Sequence, residues 1–379
     1  MSNDNRTRIL MVGPVPPPTG GIASLMEDII HSDLSKDYQF EVFERSAGFP
    51  PGCEGFWKRN VFRFRRFLDF YRKVSRGRYA LIHIHSADPA FLGTAIMMLL
   101  ARAAGAKILL HMQGTDWDWF YPDAPLFRKL YTRLGLFLPH TILVLYRLWL
   151  DNLKALGTHA DVLILRNLIH KADSPHRERV EQTRDKLNLS PDDFVVVTVG
   201  TVGWRKGTFD ILKAVPLVTS AEPSTKFIFV GGEEKSGEWN QLMEIVNREK
   251  LGPWVRFLGE VDREQVPVFL ALGNAFLLPS YHEGMPVAIL EAMRSGLAVI
   301  STRVNAIPDV IETDVSGILI NPGAPQEIAD AIVRLKRNPD LCLRLAETAK
   351  HSFHERFEFS QGIDALRSIY SSIILSADR

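Results

Sequence analysis

The stretch that decides the fold is residues 279–296, PSYHEGMPVAILEAMRSG. The apolar run 275–278 before it predicts a buried strand, and Pro286 suits the first position of a helix, where its missing N–H is not needed. We therefore expect a strand, a short loop and a helix, with Glu283 in the loop and Glu291 about one and a half turns into the helix. A second apolar run after the helix completes a βαβ unit.

A βαβ unit of this kind offers a site for a phosphorylated ligand. The helix N-terminus at the end of a strand presents N–H groups and a favourable dipole to a phosphate. Glu283 is then placed to hydrogen-bond hydroxyl groups beyond the phosphate, and Glu291 is placed to bind a ribose diol. Two glutamates at this spacing also arise by chance, so the interpretation depends on the strands and the helix around them.

Composition bounds the class of protein. The chain has 379 residues, of which 46% are hydrophobic and 23% charged, which is ordinary for a globular protein and enough for two domains. The net charge of +1 predicts no nucleic-acid partner. The two cysteines, Cys53 and Cys342, stand outside any metal-ligand spacing and predict neither a zinc site nor a disulfide framework.

Two features of the sequence predict a cytoplasmic protein. Residues 1–8 lack the long apolar core of a signal peptide. The most apolar run, 90–100, is shorter than the roughly 20 residues that cross a bilayer.

Strand-like runs alternate with helical ones through most of the chain, which indicates parallel sheets covered by helices on both faces. The predicted strands are 9–12, 40–43, 81–85, 107–111, 141–145 and 161–165 in a first set, and 194–199, 226–230, 255–258, 275–278, 298–301 and 318–320 in a second set. Helices are predicted at 22–31 and 90–104. The polar region 166–193 breaks the pattern, and we interpret it as the link between two Rossmann-like domains, with a helix near 177–187.

The segment 278–302, with its continuation through 307–311 and 315–319, resembles the sugar-nucleotide site of family 4 glycosyltransferases. The resemblance covers nearly the whole chain and is strongest in the second half. It implies an α/β chain with the GT-B fold, in which two Rossmann-like domains have parallel sheets that face an interdomain cleft. The domain boundaries that follow are an acceptor domain at 1–170, a linker at 171–193, a nucleotide-sugar domain at 194–355 and a C-terminal helix at 356–379 that crosses back to the first domain, with 359–375 as its candidate.

The loop 200–207, GTVGWRKG, follows a predicted strand and precedes a predicted helix. Its glycines let the backbone approach a phosphate, and Lys206 supplies a positive charge. The alternative is an ordinary βα loop with a solvated basic pair. In the family, this loop carries an arginine after the first glycine and a lysine before the last one. Lys206 matches the lysine, whereas Thr201 stands in place of the arginine, so that Arg205 is the candidate substitute.

The resemblance assigns roles to these residues. Lys206 and Arg205, together with backbone N–H groups near Gly284 and Met285, would bind the diphosphate of the donor. Glu291 would bind the ribose. Glu283 would orient the hydroxyls of the transferred sugar.

A second glycine-rich loop, 13–23, reads GPVPPPTGGIA and follows the first predicted strand. Three prolines make a stiff turn, and Gly20 and Gly21 open a helix. In the family, a comparable loop reaches the donor phosphate and the acceptor, which places Gly20 and Gly21 at the diphosphate and Thr19 on the acceptor side. The alternative is a tight turn that only needs glycine geometry.

The run HMQGTD at 111–116 ends another predicted strand. Family members commonly have a histidine before Gly-x-Asp here, close to the transferred sugar, and Gln113 occupies that position. His111 lies two residues earlier and points the same way along a strand. Both residues are candidates for a catalytic contact with the sugar, and the alternative for His111 is a structural role. Asp116 is assigned to the acceptor side or to capping.

The segment 56–79 is dense in basic and aromatic residues. Nine cations stand against one acid, Asp69. Apolar residues recur at spacings of three and four, namely Trp57, Val61, Phe64, Leu68 and Tyr71. This pattern predicts a basic amphipathic helix that contacts an anionic membrane surface, and the alternative is a domain helix with a solvated cationic face.

These observations lead to one functional prediction. The chain is expected to be a retaining glycosyltransferase that moves a sugar from a nucleotide sugar to the hydroxyl of a glycan or lipid-linked glycan, in polysaccharide or glycolipid synthesis. It would need no cofactor and no metal, although Asp116 and Asp118 form the obvious counter-candidate for a metal site. Its expected place is the cytoplasm, peripheral to the inner face of the membrane.

Three alternatives compete with this prediction. A non-catalytic nucleotide-sugar-binding or regulatory protein with the same fold is favoured by Thr201 and Gln113. A nicotinamide-dependent oxidoreductase would need a Gly-x-Gly-x-x-Gly motif after a strand, which the sequence lacks. A membrane-surface scaffold that uses only the basic helix would leave the motifs of the second half unexplained.

Overall fold

We analysed a computed structural model that describes residues 6–15, 21–45, 55–87, 91–114, 121, 123–170 and 174–376. These residues form two compact units. The first unit runs up to Leu168 and includes the segment from Ser360 onward, and the second unit is Ile169–Phe359. Each unit contains one six-stranded sheet.

The sheet of the first unit has the strand order β2-β1-β3-β4-β5-β6, and all neighbours are parallel. Its strands are β1 (Thr7–Gly13), β2 (Tyr38–Glu44), β3 (Leu81–Ser86), β4 (Ile108–Met112), β5 (Thr141–Val144) and β6 (Asp161–Ile164). Among the described residues of this unit before its last segment, the helices are α1 (Gly21–His31), α2 (Leu34–Asp37), α3 (Phe56–Gly77), α4 (Leu92–Ala103), α5 (Leu126–Gly135) and α6 (Arg147–Ala155).

The sheet of the second unit has the order β12-β11-β10-β7-β8-β9, again with parallel neighbours. Its strands are β7 (Phe194–Val199), β8 (Thr225–Val230), β9 (Val255–Phe257), β10 (Ala275–Leu278), β11 (Ala298–Thr302) and β12 (Ile318–Ile320). Its helices are α7 (Arg177–Lys186), α8 (Thr208–Ala221), α9 (Glu238–Arg248), α10 (Val266–Ala271), α11 (Val287–Arg294), α12 (Ile307–Val310), α13 (Pro325–Arg337) and α14 (Pro339–Arg356).

The order of strands in the second unit determines where a ligand can bind. The chain builds β7, β8 and β9 toward one edge and then returns to place β10 on the other side of β7. Ligands of open parallel sheets bind beyond the carboxyl ends of the strands at such a switch point. The loops that follow β7 and β10 are 200–207 and 279–286, so the topology brings the two predicted donor motifs together.

The core of the second unit lies between this sheet and its helices. The strands are continuous apolar runs because both faces of a parallel sheet are covered. Val196, Phe227 and Leu277 are each 1% exposed or less, as are Ile211 of α8 and Ile332 of α13. Helix α14 begins at a proline and is capped by Asn338, whose side chain accepts a hydrogen bond from Leu341 N at 3.1 Å.

The last helix, α15 (Phe359–Leu375), packs against the sheet of the first unit. The Tyr370 side chain is fully buried, and its hydroxyl lies 2.7 Å from His83 Nδ1. Lys107 Nζ donates to the carbonyl oxygens of Ile373 and Ile374 at 3.1 and 3.2 Å, which satisfies carbonyls at the end of the helix. The segment from Ser360 therefore completes the core of the first unit.

The predicted fold class and all twelve predicted strands are confirmed, and the strand ends agree within two residues. One detail was wrong. Pro286 was expected in the first turn of its helix, but it has an extended backbone (φ −72°, ψ 114°) and stands just before α11. An extended residue at this place is usual for the position that precedes a helix.

Among the described residues, no helix has the length and apolar character needed to cross a membrane.

Candidate donor-binding site in the second unit

The loops 200–207 and 279–286 are in close contact. Gly207 has φ of 72°, and a Cβ at this position would clash with the carbonyl oxygen of Pro279. Tyr281 N donates to Arg205 O at 2.8 Å, which joins the two backbones. The rings of Trp204 and Tyr281 stack, with centroids 4.5 Å apart and planes at 14°. Only glycine allows this approach, so Gly207 is needed for the two loops to form one rim.

The side chains of Lys206 and Glu283 meet inside this rim. Lys206 Nζ lies 2.6 Å from Glu283 Oε1, and Ser280 Oγ donates to the same oxygen at 2.7 Å. The side chains of Lys206 and Glu283 are 14% and 6% exposed. Desolvation offsets most of the attraction in a buried pair, so the pair positions the two groups more than it stabilises the fold.

The Arg205 guanidinium lies beside this pair. It is bonded to Glu234, and its Nη1 donates to the His282 carbonyl at 3.1 Å. The same Nη1 is 4.0 Å from Glu283 Oε2. Arg205 therefore adds positive charge near Glu283 from a fixed position, whereas Thr201 is exposed.

Tyr281 is a site residue that the sequence did not reveal. Its hydroxyl donates to Asp210 Oδ2 at 2.7 Å, and Lys213 Nζ is 3.1 Å from the other oxygen of Asp210. Burial and the hydrogen bond to Asp210 raise the pKa of Tyr281 to about 12. The hydroxyl thus stays protonated and holds the ring under Trp204. The available signal was an aromatic residue next to each of the two motifs.

Helix α11 starts behind Glu283. Gly284 and Met285 are buried at its N-terminal side, and Glu291 is in its second turn. The Glu291 side chain is half-buried and has no hydrogen-bond partner among the described residues. Burial raises its pKa, although the charges of Arg294 and Arg263 oppose that shift. A carboxylate in this condition is available to bind the hydroxyls of a ligand.

The candidates of the first unit lie in a group of three histidines. His83 and His85 alternate on β3, and His111 is in register with His85 on β4. Their ring centroids are 4.2 to 5.5 Å apart. His85 Nδ1 donates to Gln113 Oε1 at 3.0 Å. His111 is 1% exposed whereas Gln113 is half-exposed, so the structure favours Gln113 for contact with a ligand.

Burial keeps these histidines neutral. It lowers the pKa of His83 and His111 well below the usual value, and it lowers that of His85 to about 4 despite the hydrogen bond with Gln113. One nitrogen of each ring lies within 4.8 Å of the others. The three rings are buried and packed against one another. We interpret the group as a packed core cluster.

Several predicted residues lie outside the described part of the chain. These are Thr19, Gly20, Asp116 and Asp118. Gly21 is the first residue of α1.

Comparison with known proteins agrees with the geometry of the second unit. Residues 179–352, which include Lys206, Glu283 and Glu291, match the model of a family described as glycosyl transferases group 1. The chain is a glycosyltransferase, and its second unit carries the match to this group. It is similar to the putative teichuronic acid biosynthesis glycosyltransferase TuaC of Bacillus subtilis, with 25% identity over 293 aligned residues. The aligned region covers 77% of this chain and 70% of TuaC.

The glycosyltransferase is also similar to the UDP-Gal:alpha-D-GlcNAc-diphosphoundecaprenol alpha-1,3-galactosyltransferase of Escherichia coli, with 23% identity over 326 aligned residues. The aligned region covers 82% of this chain and 79% of the relative. Among solved structures, Anabaena Alr3699/HepE in complex with UDP and glucose aligns with a TM-score of 0.77 at 17% identity, over 97% of this chain and 100% of HepE. The glycosyltransferase therefore has the GT-B fold.

Proposed function

We propose that the glycosyltransferase moves a sugar from a nucleotide diphosphate sugar to a hydroxyl acceptor with retention of the anomeric configuration. The observation that carries this proposal is the buried pair of Lys206 and Glu283, placed at the switch point of the second sheet. A cation next to a carboxylate is complementary to the two parts of such a donor. The diphosphate would form an ion pair with Lys206, and the sugar hydroxyls would donate hydrogen bonds to Glu283.

The rest of the site supports the same division of roles. Arg205 adds positive charge near the diphosphate, next to the N-terminus of α11 with Gly284 and Met285. Glu291, without a hydrogen-bond partner among the described residues, would accept the ribose hydroxyls. Gln113 of the first unit is the candidate for contact with the transferred sugar, and His111 would support it through His85.

The transfer step needs no covalent intermediate on the protein. The bond from the anomeric carbon to the diphosphate oxygen breaks, and a bond from the same carbon to the acceptor oxygen forms on the same face. The leaving diphosphate takes the proton of the acceptor hydroxyl. Lys206, Arg205 and the helix N–H groups stabilise the charge that develops on the diphosphate, so no metal is required. Glu283 is held by Lys206 and Ser280, which suits hydroxyl binding better than nucleophilic attack.

We further propose a lipid-linked glycan as the acceptor and a peripheral position on the cytoplasmic face of a membrane. The Escherichia coli relative is named for a sugar acceptor linked to diphosphoundecaprenol, and TuaC is named for the biosynthesis of teichuronic acid. The HepE structures are complexes with UDP and glucose or with UDP-glucose, so a uridine nucleotide sugar is the first donor to test.

The test is a thermal-shift screen with UDP-, GDP- and ADP-sugars, followed by transfer assays with the donor that stabilises the protein. A donor at 100 times its dissociation constant would stabilise the protein by about 2.7 kcal/mol. Stabilisation by one class of nucleotide sugar and release of its nucleoside diphosphate are expected. Absence of both effects with all three donors would overturn the proposal.

A further inference from the structure

The Arg205 guanidinium is held at two points. Its Nε donates to the Glu234 carboxylate, and its Nη1 donates to the His282 carbonyl at 3.1 Å. Its Nη2 makes no hydrogen bond with the described residues. Arginine has five N–H donors in a rigid planar fork, so Arg205 keeps the N–H groups of Nη2 in a fixed place for a further acceptor.

Glu234 stands in the loop 231–237, which follows β8. Backbone hydrogen bonds already join this loop to the loop 200–207. Val202 N donates to Gly232 O at 2.8 Å, and Glu234 N donates to Val202 O at 3.0 Å. The two loops are therefore fixed to one another without the Glu234 side chain, and that side chain needs a different explanation.

The Glu234 carboxylate is unfavourable where it stands. Its side chain is 17% exposed, and its Oε2 is buried and accepts no hydrogen bond among the described residues. A buried carboxylate oxygen without a donor destabilises the fold. A carboxylate near the proposed diphosphate also repels it. The bond with Arg205 is the contact that can account for an acidic side chain at this place.

This second cation–carboxylate pair lies at the same edge of the sheet as the first. Strand β7 stands between β8 and β10, so the loops that follow these three strands meet at one edge. Arg205 Nη1 is 4.0 Å from Glu283 Oε2, and Glu283 is bonded to Lys206. Arg205 and Lys206 are thus close enough to bind one diphosphate together.

We propose that Glu234 is a positioning residue for the donor, which holds the plane of Arg205 so that Nη2 donates to the diphosphate. This inference rests on the proposed function, because the diphosphate is that of the nucleotide sugar. An arginine binds a phosphate through the N–H groups of its planar fork, so the orientation of the plane decides whether the contact forms. Glu234 would act through Arg205 and would not touch the donor.

The test is isothermal titration of the full-length protein with UDP and with uridine, which lacks the phosphates. The sign of the change separates position from charge. If only charge mattered, Glu234→Ala would remove a repulsive carboxylate and strengthen the binding of UDP. If Glu234 positions Arg205, Glu234→Ala should weaken UDP by roughly tenfold or more, because a charge-assisted hydrogen bond is lost, and should leave uridine unchanged.

Three further variants connect this effect with Arg205. Arg205→Ala should weaken UDP at least as much as Glu234→Ala does. The double variant E234A/R205A should bind UDP no more weakly than Arg205→Ala, because the two side chains act as one unit. Glu234→Gln keeps an oxygen that accepts from Arg205 Nε, so its affinity for UDP should stay within about threefold of the wild type.

The matched control is Glu233→Ala, which removes the same charge from the neighbouring position. The Glu233 carboxylate accepts from the backbone N–H groups of Gly237 and Trp239 at 2.9 and 3.2 Å. This variant therefore tests whether the loop after β8 acts through its own structure. It should bind UDP as the wild type does, and a loss as large as that of Glu234→Ala would overturn the inference.

Two other results would also overturn the inference. One is UDP binding by Glu234→Ala that equals or exceeds that of the wild type. The other is a loss of uridine binding as large as the loss of UDP binding, which would show a damaged loop. If Glu234→Ala does not fold, as judged by thermal unfolding, Arg205→Lys decides. It keeps the charge but has no planar group for Glu234 to hold, so wild-type affinity for UDP would overturn the inference.

The wild type judges the proposed function in the same titrations. If the thermal-shift screen selects GDP or ADP, that nucleotide and its nucleoside replace UDP and uridine. No binding of UDP, GDP or ADP by the wild type would overturn the proposed function and the inference with it. Wild-type binding that neither Glu234→Ala nor Arg205→Ala weakens would overturn the inference alone, since Lys206 and Glu283 would still serve the donor.

Discussion

Lys206 Nζ lies 2.6 Å from Glu283 Oε1, although the two residues are 77 positions apart in the sequence. The cation proposed for the diphosphate and the carboxylate proposed for the sugar hydroxyls therefore pair with each other. Under the proposed function, the phosphate of a donor would take over part of the charge of Lys206, so that donor binding would loosen this pair.

The first prediction concerns this pair. Lys206→Met leaves the Glu283 carboxylate buried without its main partner, so the protein should lose about 3–5 kcal/mol of stability. Glu283→Gln should lose less, because an amide is neutral, and the double variant should regain part of the loss. Glu283→Gln should mainly lower kcat, on the order of 10²-fold, since its contacts with the sugar hydroxyls strengthen in the transition state. Thermal unfolding measures the loss of stability, and steady-state kinetics measure the loss of kcat. Wild-type kinetics in both single variants would show that this pair does not belong to the donor site.

The second prediction concerns Glu291. Glu291→Ala should weaken donor binding by roughly 10- to 100-fold, because hydrogen bonds to a charged group contribute about 1.5–3 kcal/mol. Burial raises the pKa of Glu291, so its carboxylate is protonated as the pH falls through that raised pKa and donor affinity should decline there. Isothermal titration across pH measures this, with Glu291→Gln as the control that removes the dependence. Unchanged affinity in the alanine variant would mean that the ribose binds elsewhere.

The third prediction is that activity survives excess EDTA. Lys206, Arg205 and the N-terminus of α11 are assigned the stabilisation that a metal gives to a departing diphosphate in other transferases. The transfer rate is compared with and without chelator, and then with added Mg2+ or Mn2+. A strict metal requirement would contradict this assignment and point to Asp116 and Asp118, which the variant D116A/D118A would test.

The fourth prediction concerns acid stability of the first unit. The pKa of His83, His85 and His111 is lowered by burial, so each takes up a proton more readily when the unit unfolds. Their contribution to the free energy of unfolding is complete above pH 6.5. It is lost as the pH falls toward 4, which is about the pKa of His85. His111→Phe should flatten this loss. Thermal unfolding between these pH values measures it, and an unchanged slope would refute the prediction.

Glu41 defines a separate pH range for the same unit. Desolvation raises the pKa of Glu41, but hydrogen bonds from Tyr79, Arg8 and Lys73 outweigh it and lower the pKa to about 2. Its contribution is therefore present above pH 4.5 and is lost only as the pH falls from there toward 2. Loss of stability between pH 6.5 and 4.5 thus reports the histidines and not Glu41.

The fifth prediction is that α3 binds anionic bilayers weakly and reversibly. Each cation near an anionic surface contributes about 1 kcal/mol, reduced by salt. Changing the exposed Arg59 and Arg65 to Glu should release the protein from phosphatidylglycerol vesicles in cosedimentation. Lys73 is left unchanged, because its bond with Glu41 holds α3 to the first unit. If the wild type stays in the supernatant at low salt, α3 is a solvated domain helix.

The strands and the positions of the two donor loops could be predicted because continuous apolar runs mark parallel strands. The pairing of Lys206 with Glu283 could not, since it depends on how closely two loops approach, and that approach is set by Gly207 and Pro279. Tyr281 and Asp210 were missed for the same reason. Their contact joins residues that no local pattern links.

The histidine cluster shows a signal that was present but not used. His83 and His85 are alternate residues of a predicted strand, so their side chains had to share one face of the sheet. The sequence interpretation treated His111 alone, and it could not choose between His111 and Gln113. The structure buries His111 and leaves Gln113 half-exposed, and Tyr370 packs against His83 in the same cluster.

The segment from Ser360 belongs to the first unit, where Tyr370, Leu366 and Ile373 are buried. During translation, the residues of the second unit emerge as one uninterrupted stretch, whereas the first unit lacks these side chains until the segment from Ser360 has been made. The first unit is therefore completed only after the second unit has been made. A ribosome that stops before residue 360 would release a finished second unit joined to an unfinished first one, with its histidine cluster open to water.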